Sequence, residues 1–295
     1  MIKLFTVLSL LCFLYPQIVL SESVTFTFNP PDGYKVISYG KSNRVYYIDG
    51  KKNKIQSNKI NTETIFTKNL NGFKIIRKVI LAESFENGKR LESPAGKVLI
   101  GNVMTYITDN KGNLLSIEGL DSLLNNLKKT IHPDKQHLAV KVFNTEVRKK
   151  KEFDDWQNNI TKFVGKSVKD GTVGYTISSL NLYGDILKYL KQMNFVDVKK
   201  DSVKINYKYT TKKPTIHNWL KEINPVVVEK LNLDQIDYSS YGINGSGYEI
   251  INPKTMISKE KHSKIILEYV TTYDDGSQHE IKRIQTKNTR YEIAN

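Results

Sequence analysis

Apolar and polar residues alternate along both ends of the chain, and a spacing of three and four replaces that alternation in the middle. In the stretch from Phe73 to Leu81, Phe73, Ile75, Val79 and Leu81 share one face, while the other positions mix Lys74 and Lys78 with Ile76 and Ile80. A period of two with one better-buried face is the mark of a strand. Asp49-Gly50, Asn71-Gly72 and Asn87-Gly88 punctuate the region with residues that tolerate the positive φ of tight turns. The alternation continues through Val98–Thr108 and Leu114–Ile117, so strands are predicted from about 24 to 117.

The middle, from about 120 to 223, reads as helix-rich. Asp121 can cap a helix carrying Leu123, Leu124, Leu127 and Ile131, with Lys128 and Lys129 near its end and Pro133 stopping it. A second helix is predicted from about Glu146 to Val164, with Phe153, Trp156, Ile160 and Phe163 in one stripe and Gly165 as terminator. Asp185 is placed to cap a shorter helix through Ile186, Leu187, Leu190 and Met193, and Thr215 another through Ile216, Trp219, Leu220 and Ile223. Between these two, Lys204–Tyr209 alternates as a strand. From about 226 to 293 strands return. Lys264–Tyr273 and Gln278–Lys287 form a hairpin around Asp274-Asp275-Gly276, with Ile265, Leu267, Tyr269 and Tyr273 on one face.

No Pro- or Gly-rich linker divides the chain, so residues 22–295 are read as one α+β domain. The expected architecture is a curved antiparallel β-sheet, a half-open barrel built from the N- and C-terminal strands, with the central helices covering its concave face. Asp155-Trp156, Gly165-Lys166 and Gly171, followed by Gly245-Ser246-Gly247-Tyr248 and Asn252-Pro253-Lys254-Thr255, resemble an uncharacterised group of exported bacterial proteins. That resemblance implies a half-open β-barrel with helices, similar to lipoprotein-carrier domains, and an apolar cavity. It implies no catalytic residues.

Compartment and charge sharpen this picture. Lys3 precedes an apolar run from Leu4 to Leu20, and Val19 and Ser21 supply the small residues of a cleavage site before Glu22. Residues 1–21 are therefore expected to be a signal peptide, and the protein to be exported to a periplasm or secreted. The single cysteine, Cys12, lies inside that run. A mature chain without cysteine excludes disulfides, thiolate catalysis, zinc–cysteine sites and iron–sulfur clusters. The net charge of +15 is spread over Lys51-Lys52, Lys128-Lys129, Arg148 to Lys151, Lys199-Lys200 and Lys212-Lys213. Spread cations point to an anionic envelope surface or an anionic ligand, and export argues against nucleic acid.

The strings that could carry chemistry read more simply as structure. His132-Pro133-Asp134 resembles the J-domain loop, yet a strand-like segment precedes it where that domain needs a helix, so Pro133 is read as a helix stop. His132 and His137 lack the further ligands a zinc site needs. Gly245-Ser246-Gly247 lacks the nucleophile-elbow frame and reads as a bulge or turn. Asp275 and Glu280 beside His279 sit at a solvated hairpin tip. Asp154-Asp155 and Asp274-Asp275 read as local electrostatics and turn geometry, and phosphate-binding glycine loops are missing. No catalytic residue, metal or cofactor is therefore expected. The leading function is non-catalytic binding or carriage of an apolar or amphipathic, lipid-like ligand. Its expected contacts are Tyr207, Tyr209, Leu267, Tyr269, Trp156 and Trp219. An interaction protein without a small ligand ranks second, and a hydrolase-type enzyme third.

Overall fold

The computed structural model describes residues 23–92, 94–130, 133, 136, 144–182, 185–213, 215–216, 233, 236–237, 239–273 and 275–294. Along the chain run β1 (Val24–Thr25), β2 (Tyr34–Ile48), β3 (Lys51–Asn69), β4 (Gly72–Glu86), β5 (Lys89–Leu91) and α1 (Pro94–Leu99). These are followed by β6 (Val103–Asp109), β7 (Leu114–Glu118), α2 (Leu120–Thr130) and α3 (Thr145–Trp156), which continues as a π-helical turn over Gln157–Thr161. The remaining elements are β8 (Ser167–Val168), β9 (Val173–Leu182), β10 (Asp185–Lys199), β11 (Ser202–Thr210), β12 (Tyr241–Asn252), β13 (Ile257–Thr272) and β14 (Gln278–Ala294).

One sheet holds almost all of these strands, in the order β7-β6-β4-β3-β2-β14-β13-β12-β11-β10-β9, with β5 paired to β4. The two ends of the chain meet in its middle: β2 pairs antiparallel with β14 from Lys35 opposite Ala294 to Ile48 opposite Ile281. Among the described residues the sheet does not close, because β7 and β9 each keep one unpaired edge. A separate two-stranded ribbon joins β1 to β8.

The sheet is strongly curved, and two phenylalanines report it. β4 and β10 lie seven strand steps apart along the sheet, which would be about 34 Å if it were flat. Phe28 nonetheless packs its ring 5.3 Å from Phe73 of β4, and Phe26, two residues earlier, packs 6.1 Å from Phe195 of β10. Only a curled sheet lets one short segment touch both walls. That segment crosses the end where β2 begins and β14 finishes. It is held there by Thr27 N–H donating to Pro253 O (2.8 Å) and Asn29 N–H donating to Lys254 O (3.0 Å).

Glycines permit the bend. A Cβ on Gly245 would stand 2.2 Å from the Lys264 carbonyl oxygen, and one on Gly247 would stand 2.4 Å from that of His262. Gly245-Ser246-Gly247 is therefore neither a bulge nor a turn. It lies inside β12 in unbroken register, where β13 approaches too closely for any side chain.

One predicted helix and the start of one predicted strand need correction. Asp185–Met193 is not a helix but most of β10, paired with β9 on one side and β11 on the other. Tyr189, Lys191, Met193 and Phe195 alternate inward there, and two flanking ladders override a local helical spacing. Val98 and Leu99 belong to α1 rather than to a strand, and the strand starts at Val103 after Gly101 (φ +82°). Pro94, suited to a helix start, explains the switch. The helix predicted through Ile223 lies mostly outside the described residues. The cover over the sheet is thus sparser than predicted, and strands β8–β11 occupy part of the supposed helix-rich middle.

The predicted helices at 120–130 and from 145 onward are present. Asn144 caps α3 by accepting from the Val147 N–H (3.1 Å), and Gly165 (φ +81°) follows its end. The core runs along the concave face, from Phe73 and Ile75 through Phe26 and Phe28 to Phe195, Val203 and Ile205.

Candidate ligand-binding site

Between the concave face of β2, β3, β4 and β14 and the α3 helix lies a cavity of about 570 Å³. Its shape follows from the residues that face inward. In the middle rows these are small, with Ser38 and Gly40 on β2 and Thr62 and Thr64 on β3, and Ser42 continues them to the mouth, so the helix cannot fill the space above them. Toward the plugged end the inward residues become large: Phe28, Val36, Phe66, Ile75, Tyr106 and Trp156 form a mainly apolar base, with the charged Arg77 and Glu152 beside Tyr106. At the other end Arg44, Asn58 and Lys287 line the mouth. Ile60, 42% exposed, turns an aliphatic side chain into the open space between.

Trp156 is fixed on three sides. Its indole N–H donates to the Gly112 carbonyl (2.8 Å), its ring stacks on Tyr106 at 5.8 Å, and Phe28 meets it edge-on at 5.8 Å. Gly112 (φ +75°) must be glycine here, since a Cβ would come within 2.8 Å of the Phe28 ring. Burial, then the Glu152 carboxylate, pushes the Tyr106 hydroxyl up to about 12, and that hydroxyl donates to Glu152 Oε2 (3.2 Å).

A band of charge crosses the same concave face. Glu249 on β12 is buried and accepts from the Tyr207 hydroxyl (2.6 Å) and from Ser258, while Lys261 lies 3.2 Å away. Burial pushes its carboxyl up, but Lys261, Ser258 and Tyr207 outweigh that and hold it at about 2. Lys191 on β10 rests 3.8 Å above the Tyr207 ring. Burial, then repulsion from Lys261, lowers it to about 7. Lys287 ends in the water of the open cavity but is ringed by protein. That confinement, followed by Arg44, Lys151, Lys261 and Arg283, lowers it to about 8.

Of the predicted contacts among the described residues, Trp156 alone lines the cavity. Tyr207, Tyr209 and Leu267 are buried in the adjoining wall, where Tyr207 stacks on Tyr209 at 6.3 Å and Tyr189 meets Tyr209 edge-on at 5.7 Å. Tyr269 packs partly buried against the same core. Trp219 lies outside the described residues. Sequence reasoning missed the small inward residues of β2 and β3 and the plug at Phe26–Phe28. The alternation Val24-Thr-Phe-Thr-Phe28 could have signalled the latter.

The His279 cluster is better ordered than its position at a hairpin tip suggests. Asp49 Oδ2 lies 2.7 Å from His279 Nδ1, and Ser277 Oγ lies 3.0 Å from Nε2. The Ser277 groups are engaged within their own turn. The Ser277 hydroxyl also donates to Asp275 Oδ1 (2.6 Å), and its own N–H donates to the same carboxylate, so that N–H is not free to serve as an oxyanion donor. Among the described residues no group of His, Cys, Asp and Glu is placed to hold a metal ion, and no helix is long and apolar enough to cross a membrane. The His132-Pro133-Asp134 string lies almost wholly outside the described residues.

No protein-family model matches the chain, and no curated protein matches it. Among solved structures it is similar to a lipovitellin reported for its lipid–protein interactions, at 9% identity and a TM-score of 0.43. That alignment covers 90% of this chain but only 26% of the lipovitellin chain. A second likeness, to OccK11 (OpdR) of Pseudomonas aeruginosa, covers 91% of this chain and 100% of that one at 7% identity and a TM-score of 0.19. Neither score reaches the level of a shared fold.

Proposed function

We propose that the protein is an exported, non-catalytic binding or carrier protein for an amphipathic, lipid-like ligand. One observation carries the reading: the concave cavity is largely apolar toward its plugged end, where Arg77 and Glu152 flank Tyr106, and is lined by the cations Arg44 and Lys287 at its mouth. An acyl chain laid toward Phe66, Ile75 and Trp156 would leave its polar end beside Arg44 and Lys287. Each buried CH₂ contributes about 0.8 kcal/mol, so about eight methylenes suffice for useful affinity before ordering costs are subtracted. Export rests on the N-terminal sequence, and N-terminal sequencing of the exported form should find a start at Glu22.

Native mass spectrometry of protein purified from its host tests the carrier reading. A lipid-sized mass increment released by organic solvent supports it. Protein that emerges free of any adduct, and that takes up no fluorescent fatty acid in a saturable way, refutes it.

A further inference from the structure

The cations at the cavity mouth outnumber the carboxylates that face them. Arg44 on β2 donates from Nε to the neutral amide of Gln285 (3.3 Å), and neither Arg44 nor Lys287 has an ion pair among the described residues. Arg283, two residues before Gln285 on β14, faces the same side and is 7% exposed; it stands behind the cavity lining, close enough to act on Lys287. Its buried Nε has no hydrogen-bond partner among the described residues. The acids of the concave face are engaged elsewhere, Glu249 by Lys261, Tyr207 and Ser258, and Glu152 by Tyr106 at the base. Two lining cations without an ion pair, backed by a buried guanidinium with an idle donor, are unfavourable in an empty site and favourable in an occupied one.

We propose that Arg44 and Lys287, backed by the buried Arg283, form an anion site at the cavity mouth that receives a phosphate-type group. This rests on the carrier reading for its most natural source, the headgroup of an acylated phosphate, but the same chemistry would hold free phosphate. A guanidinium with an ammonium suits tetrahedral oxyanions, since the guanidinium fork offers paired N–H donors and the ammonium a point charge.

The test measures binding of three probes to the full mature chain: lysophosphatidic acid, monoacylglycerol of the same chain length, and inorganic phosphate. Charge-assisted hydrogen bonds predict that the wild type binds the phosphate-bearing lipid at least about tenfold tighter than the neutral one. The double variant R44Q/K287Q should lose that preference and keep its monoacylglycerol affinity, while Lys287→Arg should retain it. Inorganic phosphate that binds as tightly as the lysophospholipid would assign the site to a free anion. Equal binding of both lipids overturns the anion site and leaves the carrier reading standing. Failure of both lipids to bind, with phosphate bound, overturns the carrier reading and leaves the anion site. If the double variant loses monoacylglycerol binding too, its circular dichroism decides. Native secondary structure would then mean that these residues line the chain site, which contradicts the proposal, and the single variant Arg44→Gln replaces a double variant that has unfolded.

Discussion

The Tyr207 hydroxyl donates to the Glu249 carboxylate across 2.6 Å, on the buried face of two neighbouring strands. That bond ties an aromatic wall to a charge that would otherwise be costly to bury, and Lys261 completes it.

Acid titration should reveal this arrangement. Glu249 is held at about 2 in the folded chain against an ordinary 4.5. Its contribution is therefore present above pH ~4.5 and is lost as the pH falls through that range to ~2, on the order of 3 kcal/mol. Denaturant melts of Glu249→Gln between pH 5 and 2 should show a flatter loss than the wild type. Equal slopes would mean that the pair contributes nothing.

Lys191 works in the opposite direction. Lowered to about 7 by burial and then by Lys261, it is less protonated when folded than when unfolded between pH ~7 and ~10.5. Wild-type stability should therefore rise with pH in that window by up to about 1.4 kcal/mol per unit from this group. Lys191→Met should remove the rise and be more stable at pH 7, as measured by thermal melts across the range.

Gly245→Ala tests the bend. The added Cβ would collide with the Lys264 backbone at 2.2 Å and with the Tyr209 ring at 3.1 Å. A loss of about 2 kcal/mol is expected, because a backbone atom cannot move aside as a side chain can. Urea unfolding reads it directly, and an unchanged midpoint would contradict the close approach of β12 and β13.

Binding of an anionic amphiphile should weaken as pH rises through about 8, where Lys287 loses its proton. The charged groups that lower it, Arg44, Lys151, Lys261 and Arg283, are all cations. Isothermal titration at pH 7 and pH 9 should show a several-fold loss, which Lys287→Arg abolishes.

How far the sequence carried this account depends on where side-chain period and tertiary pairing agree. The strand hairpin from Lys264 to Lys287 was legible, because alternation and a turn signal coincide there. The helix carrying Phe153 and Trp156 was legible for the matching reason at the helical period. Asp185–Met193 was not, since its apolar residues satisfy both periods and only the ladders to β9 and β11 decide between them. Tyr207 and Leu267 were correctly placed on a buried inner face. The cavity, however, lies over Ser38, Gly40, Ser42 and Thr62. A void is made by small residues opposite a helix, and nothing in a strand's own pattern says what stands across from it.

Trp156 gives the most direct measurement of the central claim, that the concave cavity takes up an acyl chain. In a Trp219→Phe background it is the only indole, and it stands at the cavity base. Titration with a long-chain fatty acid should change its fluorescence saturably at one site. Ser42→Phe, which blocks the cavity at its mouth between Asn58 and Lys287, should abolish the change while leaving the circular dichroism native. A response that is absent, or that survives unaltered in Ser42→Phe, would place the ligand elsewhere or nowhere and contradict the account.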